Sequence, residues 1–153
     1  LPGASILPIS ALHNVNVPFV FDWILKNLPE GPAYYDKKAL TDKPEKFFAS
    51  EMIREKVLQT YSKEIPYSVE IEIEEFKEEP KIIRIRAIIY VARNSQKGIV
   101  IGHQGESLKK VGTEARKDLE EFFQKKVYLD LFVKVNKDWR TDESKLKRFG
   151  YLS

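Results

Sequence analysis

The chain of 153 residues contains no cysteine, and this absence excludes three kinds of chemistry. Disulfides, thiolate catalysis and the common zinc clusters all require that side chain. The two histidines, His13 and His103, stand far apart and cannot supply metal ligands at a useful spacing. Low-complexity tracts are also missing. The content of 42% hydrophobic and 32% charged residues is that of an ordinary globular protein.

Long apolar segments are absent as well. No run approaches the ~20 residues that a membrane-spanning helix needs, and no basic-then-apolar leader opens the sequence. The chain begins at Leu1 without a methionine, so we expect it to be a fragment of a longer protein.

The surplus of positive charge is small and unevenly placed. The formal net charge is +3, of which residues 1–42 contribute −1 and the remainder +4. A site for a polyanion would therefore have to arise from local clustering of basic residues, because the bulk charge is too weak to provide one.

The first part of the chain predicts a strand and a helix followed by a linker. Residues 5–12 have the pattern of a short buried strand that runs into a turn. Asn16 and Pro18 are typical of a helix start, and prolines end that helix at 29–32. The proline-containing stretch 30–42 is interpreted as a linker, which places a domain boundary there.

The second part predicts a small α+β domain. Apolar residues recur at helical spacing over 48–61, and two alternating runs follow before and after a turn at 77–80. A short helix is predicted over 95–101, a long amphipathic helix after it, a third alternating strand over 127–135 and a brief closing helix over 142–149. This order predicts a three-stranded sheet with its helices on one face.

Three glutamates share one face of the first strand in this prediction. We expect Glu70, Glu72 and Glu74 to oppose Arg84 and Arg86 across the hairpin as a solvated ladder of ion pairs. A hydrolase that uses these carboxylates is therefore disfavoured.

The stretch 98–106 carries the main functional signal. An apolar run stops at Gly102, two polar residues follow, and Gly105 opens the long helix. Glycines let the backbone approach a bulky anion, and a helix start offers unpaired N–H groups. This is the description of the G-x-x-G clamp that grips about four nucleotides in KH domains. An ordinary turn is the alternative interpretation, since two glycines three residues apart are common.

Longer strings resemble one family. The segments PEKFFASEMIREK (44–56), EIPYSV (64–69), SQKGIVIG (95–102) and FGY (149–151) are similar to the KH domain of Era-type GTPases. The resemblance covers roughly residues 30–151 and implies a type II KH fold: helix, strand, strand, helix, helix, strand. It further implies that Ser10, Ala11 and Leu12 form the last guanine-contacting loop of a GTPase domain.

The resemblance implies three parts: the end of a GTPase domain at 1–29, the linker at 30–42 and an RNA-binding KH domain at 43–153. Gly102 and Gly105 would provide close approach to the RNA backbone. In loops of this type a lysine or arginine usually lies between the glycines, where this chain has His103 and Gln104. The other expected RNA-binding residues form an apolar floor (Gly98, Ile99, Ile101) or neutralise phosphates (Lys97, Lys109, Lys110, Arg116).

The implied partner is single-stranded RNA rather than DNA, at the 3′ end of 16S ribosomal RNA. The implied process is maturation of the small ribosomal subunit with its maturation factors, in the cytoplasm, with peripheral contact to the inner membrane. The main alternative is a KH-fold module that docks a protein, which the uncharged loop favours and the basic residues after it disfavour.

No cofactor is expected in this chain alone. It lacks G-x-x-x-x-G-K-[ST], D-x-x-G and a properly spaced N-K-x-D, so we do not expect it to hydrolyse GTP by itself. GTP and magnesium are expected only in the intact family protein.

Overall fold

The computed structural model of the protein describes residues 3–32, 41, 43–137, 139 and 142–148. The chain divides into two compact units, Leu1–Asp42 and Lys43–Ser153. The first unit contains helix α1 (Val17–Asn27). The elements of the second unit are, in order, α2 (Glu45–Thr60), α3 (Ile65–Ser68), β1 (Val69–Glu78), β2 (Ile82–Val91), α4 (Asn94–Ile101), α5 (Glu106–Phe123), β3 (Lys126–Val135) and α6 (Glu143–Arg148).

The three strands form one mixed sheet in the order β1, β2, β3. β1 runs antiparallel to β2, and β3 joins the other edge of β2 in parallel. The connection from β2 to β3 passes through α4, a short loop and α5, since parallel neighbours require a crossover. The predicted α+β domain with a three-stranded sheet is confirmed.

The core lies between the sheet and the two long helices. α2 and α5 each bury three apolar residues at intervals of one helical turn, which gives each helix one apolar face. Those residues pack with the buried face of the sheet in a single cluster, so both helices lie on the same side, as predicted. The members of the cluster that lie on helices are Ala49, Ile53, Val57, Ile65, Val100, Val111, Ala115 and Leu119.

The predicted ladder of ion pairs between the hairpin strands is wrong in its register. A bulge between Ile73 and Glu75 shifts the pairing, so that Glu75 lies opposite Arg86 and Lys77 opposite Arg84. Glu70 is buried instead, and its carboxylate accepts a hydrogen bond of 2.6 Å from the Arg54 guanidinium of α2. The first glutamate of the strand therefore ties a helix to the sheet.

The strand predicted over residues 5–12 is not formed. Within the described part of the first unit, pairing in this region is limited to an isolated bridge between Ser10 and Val15, and Ile6 is 94% exposed. A single extended segment needs a neighbouring strand to form a ladder. The predicted helix start at Asn16 is confirmed, but the Asn16 side chain donates to the Pro8 carbonyl at 2.9 Å rather than capping α1.

Two predicted segments fall partly or wholly beyond the described residues. Most of the linker, at 33–40 and 42, and the FGY string at 149–151 lie outside them. The closing helix predicted over 142–149 is present as α6.

Candidate nucleic-acid interface

The loop between α4 and α5 is a tight turn with three left-handed backbone positions. Gly102 ends α4 with φ 73° and ψ −179°, and its N–H donates to the Gly98 carbonyl at 2.9 Å. Gln104 has φ 49° and Gly105 has φ 83°, and the Gly105 N–H donates back to the Gly102 carbonyl at 3.3 Å. Glycine adopts such angles without strain, which explains its presence at both ends of the loop.

The two glycines differ in what surrounds them. A Cβ atom at Gly102 would lie 2.7 Å from the Cβ of Ser107, so this position has no room for a side chain. A Cβ at Gly105 would meet no atom within 4 Å. Gly102 therefore allows the loop to pack closely against the start of α5. Gly105 leaves the backbone open to an incoming group.

Helix α4, which carries the loop, is held at both ends by side chains. At its start, the Gln96 side-chain oxygen accepts hydrogen bonds from the N–H groups of Ala92 and Arg93, each at 3.0 Å. At its end, the Tyr61 hydroxyl donates to the Val100 carbonyl at 2.7 Å. Burial raises the pKa of Tyr61 to about 12, because the charged phenolate would be desolvated.

A cleft of about 500 Å³ opens beside the loop, between α5 and β3. Its walls are mainly apolar, and two cationic side chains from α5 lie along it. The lining residues are Gly105, Leu108, Lys109, Gly112, Thr113, Arg116, Val127, Tyr128, Leu129 and Leu131.

Three of the predicted RNA-binding residues line this cleft. They are Gly105, Lys109 and Arg116, and the two cations lie on one face of α5 because seven residues make two helical turns. The exposed Lys110 is one position further round the helix and is not part of the lining. Whether any of these residues binds RNA stays a prediction.

The remaining predicted residues lie on the loop and on α4. His103 and Gln104 are exposed at the tip of the loop. Ile99 is 50% exposed, whereas Ile101 is half-buried against the core. On the same helix, Gly98 is exposed and Lys97 is half-buried.

Sequence reasoning missed the β3 wall of the cleft. Tyr128, Leu129 and Leu131 line the cleft from β3. The signal that could have revealed this was Gly112, because a glycine inside a long helix costs stability unless another element approaches closely. A Cβ at Gly112 would lie 3.4 Å from the Leu131 Cδ1 atom.

A carboxylate near the end of α5 is hydrogen-bonded to the start of β3. The Glu120 side chain accepts a hydrogen bond of 3.1 Å from the Val127 N–H. That bond, helped by nearby Lys126 and Arg116, holds the pKa of Glu120 below its ordinary value.

The predicted guanine-contacting residues lie in the first unit. Ser10, Ala11 and Leu12 open a turn in which the Asn14 N–H donates to the Ala11 carbonyl at 3.2 Å. The Ser10 hydroxyl accepts from the His13 N–H at 3.3 Å, and Leu12 is 88% exposed.

Across the described residues, no group of three or more histidine, cysteine or acidic side chains could hold a metal ion. In the same part of the chain, none of the helices combines the length and apolar character that crossing a bilayer requires.

Comparison with known proteins identifies the fold. Residues 64–140 match the KH domain family, and this match spans half of the chain. The chain therefore belongs to the KH domain family.

The KH domain is of the Era type. GTPase Era of Syntrophus aciditrophicus is 48% identical over 150 residues, which cover 97% of this chain and 49% of that protein. GTPase Era of Staphylococcus haemolyticus is 47% identical over 149 residues, covering 97% and 50%. The chain thus spans about half the length of the curated relatives that it matches.

Solved structures agree with this assignment. A crystal structure of Era in complex with MgGDPNP and nucleotides 1506–1542 of 16S ribosomal RNA matches with a TM-score of 0.88 and 38% identity. A variant of Aquifex aeolicus Era bound to GDP·AlF4− matches with the same values. Each match covers 97% of this chain and 50% of the solved one.

Proposed function

We propose that this chain binds single-stranded RNA, with the sugar-phosphate backbone on the G-x-x-G loop and the bases in the cleft between α5 and β3. The observation that carries the proposal is that Gly105 belongs both to the exposed loop and to the lining of the cleft. An RNA strand that is bound at the loop therefore continues directly into the mainly apolar cleft.

Each part of the cleft has a role suited to its chemistry. The open backbone at Gly105 lets a phosphate approach, and the N–H groups at the start of α5 donate hydrogen bonds to it. Lys109 and Arg116 neutralise the following phosphates, while Leu129 and Leu131 provide a surface for the bases. The resemblance adds Lys97, Gly98, Ile99, Ile101, Gly102, His103, Gln104 and Lys110 to this proposed RNA site.

The proposed target is the 3′ end of 16S ribosomal RNA, and the proposed process is maturation of the small ribosomal subunit in the cytoplasm. The support is the related Era structure, which contains nucleotides 1506–1542 of that RNA. The peripheral contact with the inner membrane that the resemblance implies stays a prediction.

In the intact protein, we propose that RNA binding is coupled to GTP. Residues 1–29 would be the end of a GTPase domain, with Ser10, Ala11 and Leu12 at the guanine base, and 30–42 would link it to the KH domain. GTP and magnesium would be held mainly by residues beyond this chain. The support is that the Era relatives are about twice as long and that a solved one holds MgGDPNP.

The decisive experiment places negative charge between the glycines without touching either of them. Gly102→Asp is unsuitable because Ser107 already occupies the space. The double variant His103→Asp with Gln104→Asp suits the loop, since aspartate tolerates the left-handed angles of position 104. The matched control is His103→Asn with Gln104→Asn, which has nearly the same shape and no charge.

Binding of an RNA oligonucleotide from the 16S 3′ end is measured at several salt concentrations, with the DNA counterpart beside it. We expect the aspartate variant to bind about 100-fold more weakly than the asparagine variant, because two carboxylates would face phosphates. The circular dichroism spectra of the two variants should be the same. Equal RNA affinity of both variants would contradict the proposal and favour the protein-docking alternative.

A further inference from the structure

The last turn of α4 has a backbone carbonyl that its own helix does not satisfy. Val100 would ordinarily accept from the amide four residues on, at Gln104. The helix ends at Ile101, and Gln104 has the left-handed angles φ 49° and ψ 22°. Backbone carbonyls near a helix end need another partner when they are shielded from water.

The partner comes from a different helix. Tyr61 follows the last residue of α2, and its N–H donates to the Val57 carbonyl at 3.0 Å, which fixes its backbone. Its ring packs against the core, and its hydroxyl donates to the Val100 carbonyl at 2.7 Å, across 39 positions of the sequence. The hydroxyl thus takes the place of the missing amide.

The bond is placed where it can control the loop. Val100 is fully buried and precedes Gly102 by two residues. On the other side, Gly102 is packed against Ser107 of α5. The start of the loop is therefore held between two contacts, one from α2 and one from α5.

We propose that Tyr61 is a positioning residue for the G-x-x-G loop: by satisfying the Val100 carbonyl, its hydroxyl holds the loop in the form that receives RNA. This role rests on the proposed RNA-binding function. Tyr61 does not touch the RNA in this scheme. It acts by holding the loop ordered before RNA binds, which lowers the entropic cost of binding. A tyrosine hydroxyl is protonated at neutral pH, and burial raises the pKa of Tyr61 further, so the hydroxyl remains a donor.

The test is Tyr61→Phe, which keeps the ring in the core and removes only the hydroxyl. Amide hydrogen exchange is measured without RNA at Gly102 and Gly105, whose N–H groups donate within the loop, and RNA affinity is measured separately with the 16S 3′-end oligonucleotide. We expect exchange at these amides to become about fivefold faster and RNA binding to weaken by a similar factor, the worth of one hydrogen bond. Amides within β2 that exchange only when the whole domain unfolds should accelerate by no more than this factor.

Two controls separate positioning from general stability. Tyr67→Phe removes the hydroxyl of a tyrosine that is 78% exposed and should change neither measurement. Ile53→Val loosens the core of α2 without touching the Tyr61 bond, so it should speed exchange in β2 through unfolding of the whole domain and leave both loop exchange and the RNA affinity of the folded protein unchanged.

The proposal is overturned if Tyr61→Phe leaves loop exchange unchanged, if Ile53→Val speeds loop exchange as much as Tyr61→Phe does, or if RNA affinity does not fall. A wild-type chain that fails to bind RNA would overturn the proposed function and the RNA part of this inference. The exchange measurement, which contains no RNA, tests the tie between Tyr61 and the loop independently.

Discussion

The two edges of the sheet carry clefts of opposite character. At the β3 edge, the cleft of about 500 Å³ is lined by Lys109 and Arg116. At the β1 edge, a cleft of about 310 Å³ lies beside α2 and is lined by Glu70 and Glu72, with Lys46 at its rim. A polyanion approaching this nearly neutral domain is thus directed to one edge by local charge rather than by the net charge of the chain.

The helices beside the two edges also differ in how they meet the sheet. At the β1 edge, Arg54 reaches across to Glu70 at 2.6 Å. Burial alone would lower the pKa of Arg54, but its hydrogen bonds to Glu70 and Glu51 raise it above the ordinary value, so the pair remains charged. At the β3 edge, Gly112 presents no side chain, and space remains between helix and strand. An ion pair joins helix and strand at the β1 edge, whereas at the β3 edge, which we call the open edge, the cleft lies between α5 and the strand.

The largest expected effect comes from reversing the charge of the open edge. Lys109→Glu with Arg116→Glu should weaken RNA binding about 100-fold, because attraction to two phosphates becomes repulsion. The slope of log affinity against log salt should become shallower by about 0.7 for each phosphate that the protein no longer neutralises. Titration of labelled RNA at several salt concentrations measures both quantities.

The matched control is a reversal at the other edge. Lys46→Glu changes a cation that lines the β1 cleft and should alter RNA affinity by less than about twofold, through long-range charge alone. If Lys46→Glu weakened RNA binding as much as the reversal at the β3 edge, the contrast between the two edges would be wrong. RNA would then be attracted by the diffuse charge of the whole domain.

A smaller effect is expected from Gly112→Ala, which tests the open space itself. The new methyl group would lie 3.4 Å from Leu131 Cδ1, an ordinary contact, so the helix should gain about 0.5–1 kcal/mol in unfolding free energy. The same methyl group narrows the cleft, and we expect RNA to bind about threefold more weakly. Denaturant unfolding and RNA titration on the same sample measure the two changes.

The opposite signs of these two changes are the informative result. Glu121→Ala on the exposed side of α5 serves as the control for helix propensity, and it should leave RNA affinity unchanged. A Gly112→Ala protein that is more stable and binds RNA as well as the wild type would show that the bases do not use this part of the cleft.

The architecture could be predicted from the sequence because its signals are periodic. Buried residues at Ile53 and Val57 in α2, or at Val127 and Val133 in β3, lie on the faces that helical and strand spacing assign to them. The position of the G-x-x-G loop between two helices could be predicted in the same way, and the matching family confirms the KH fold.

What the sequence did not reveal depends on distances between elements. The bulge at Ile73 and Glu75 changes which residues face each other, and alternation alone cannot show an extra residue in a strand. The bond from Tyr61 to Val100 joins positions 39 residues apart, and the cleft exists only because α5 lies beside β3. The G-x-x-G loop could be identified from its glycines, but the residues that form the cleft beside it could not be identified from the sequence.

The smallest expected effect concerns Glu120, a carboxylate on α5 that is bonded to the β3 backbone beside the open edge. Its pKa is lowered mainly by the hydrogen bond from the Val127 N–H, so the folded state favours the charged form. A depressed carboxyl pKa contributes stability above its ordinary value of 4.5, and that contribution is lost as the pH falls through the lowered folded-state value. We therefore expect the stability advantage of the wild type over Glu120→Gln to be present near neutral pH and to vanish in acid.

Chemical unfolding of both proteins across this acid range measures the difference, with Glu121→Gln as a control that removes the same charge one residue away. A glutamine at 120 can still accept from Val127 through its amide oxygen, so the comparison isolates the charge from the hydrogen bond. Because Glu120 also interacts with Arg116 and Lys126, its neutralisation should make the open edge slightly more basic and strengthen RNA binding by less than about twofold. An equal gain from Glu121→Gln would mean that RNA affinity responds to the overall charge of α5. That result would contradict a specific effect of the charges beside the cleft.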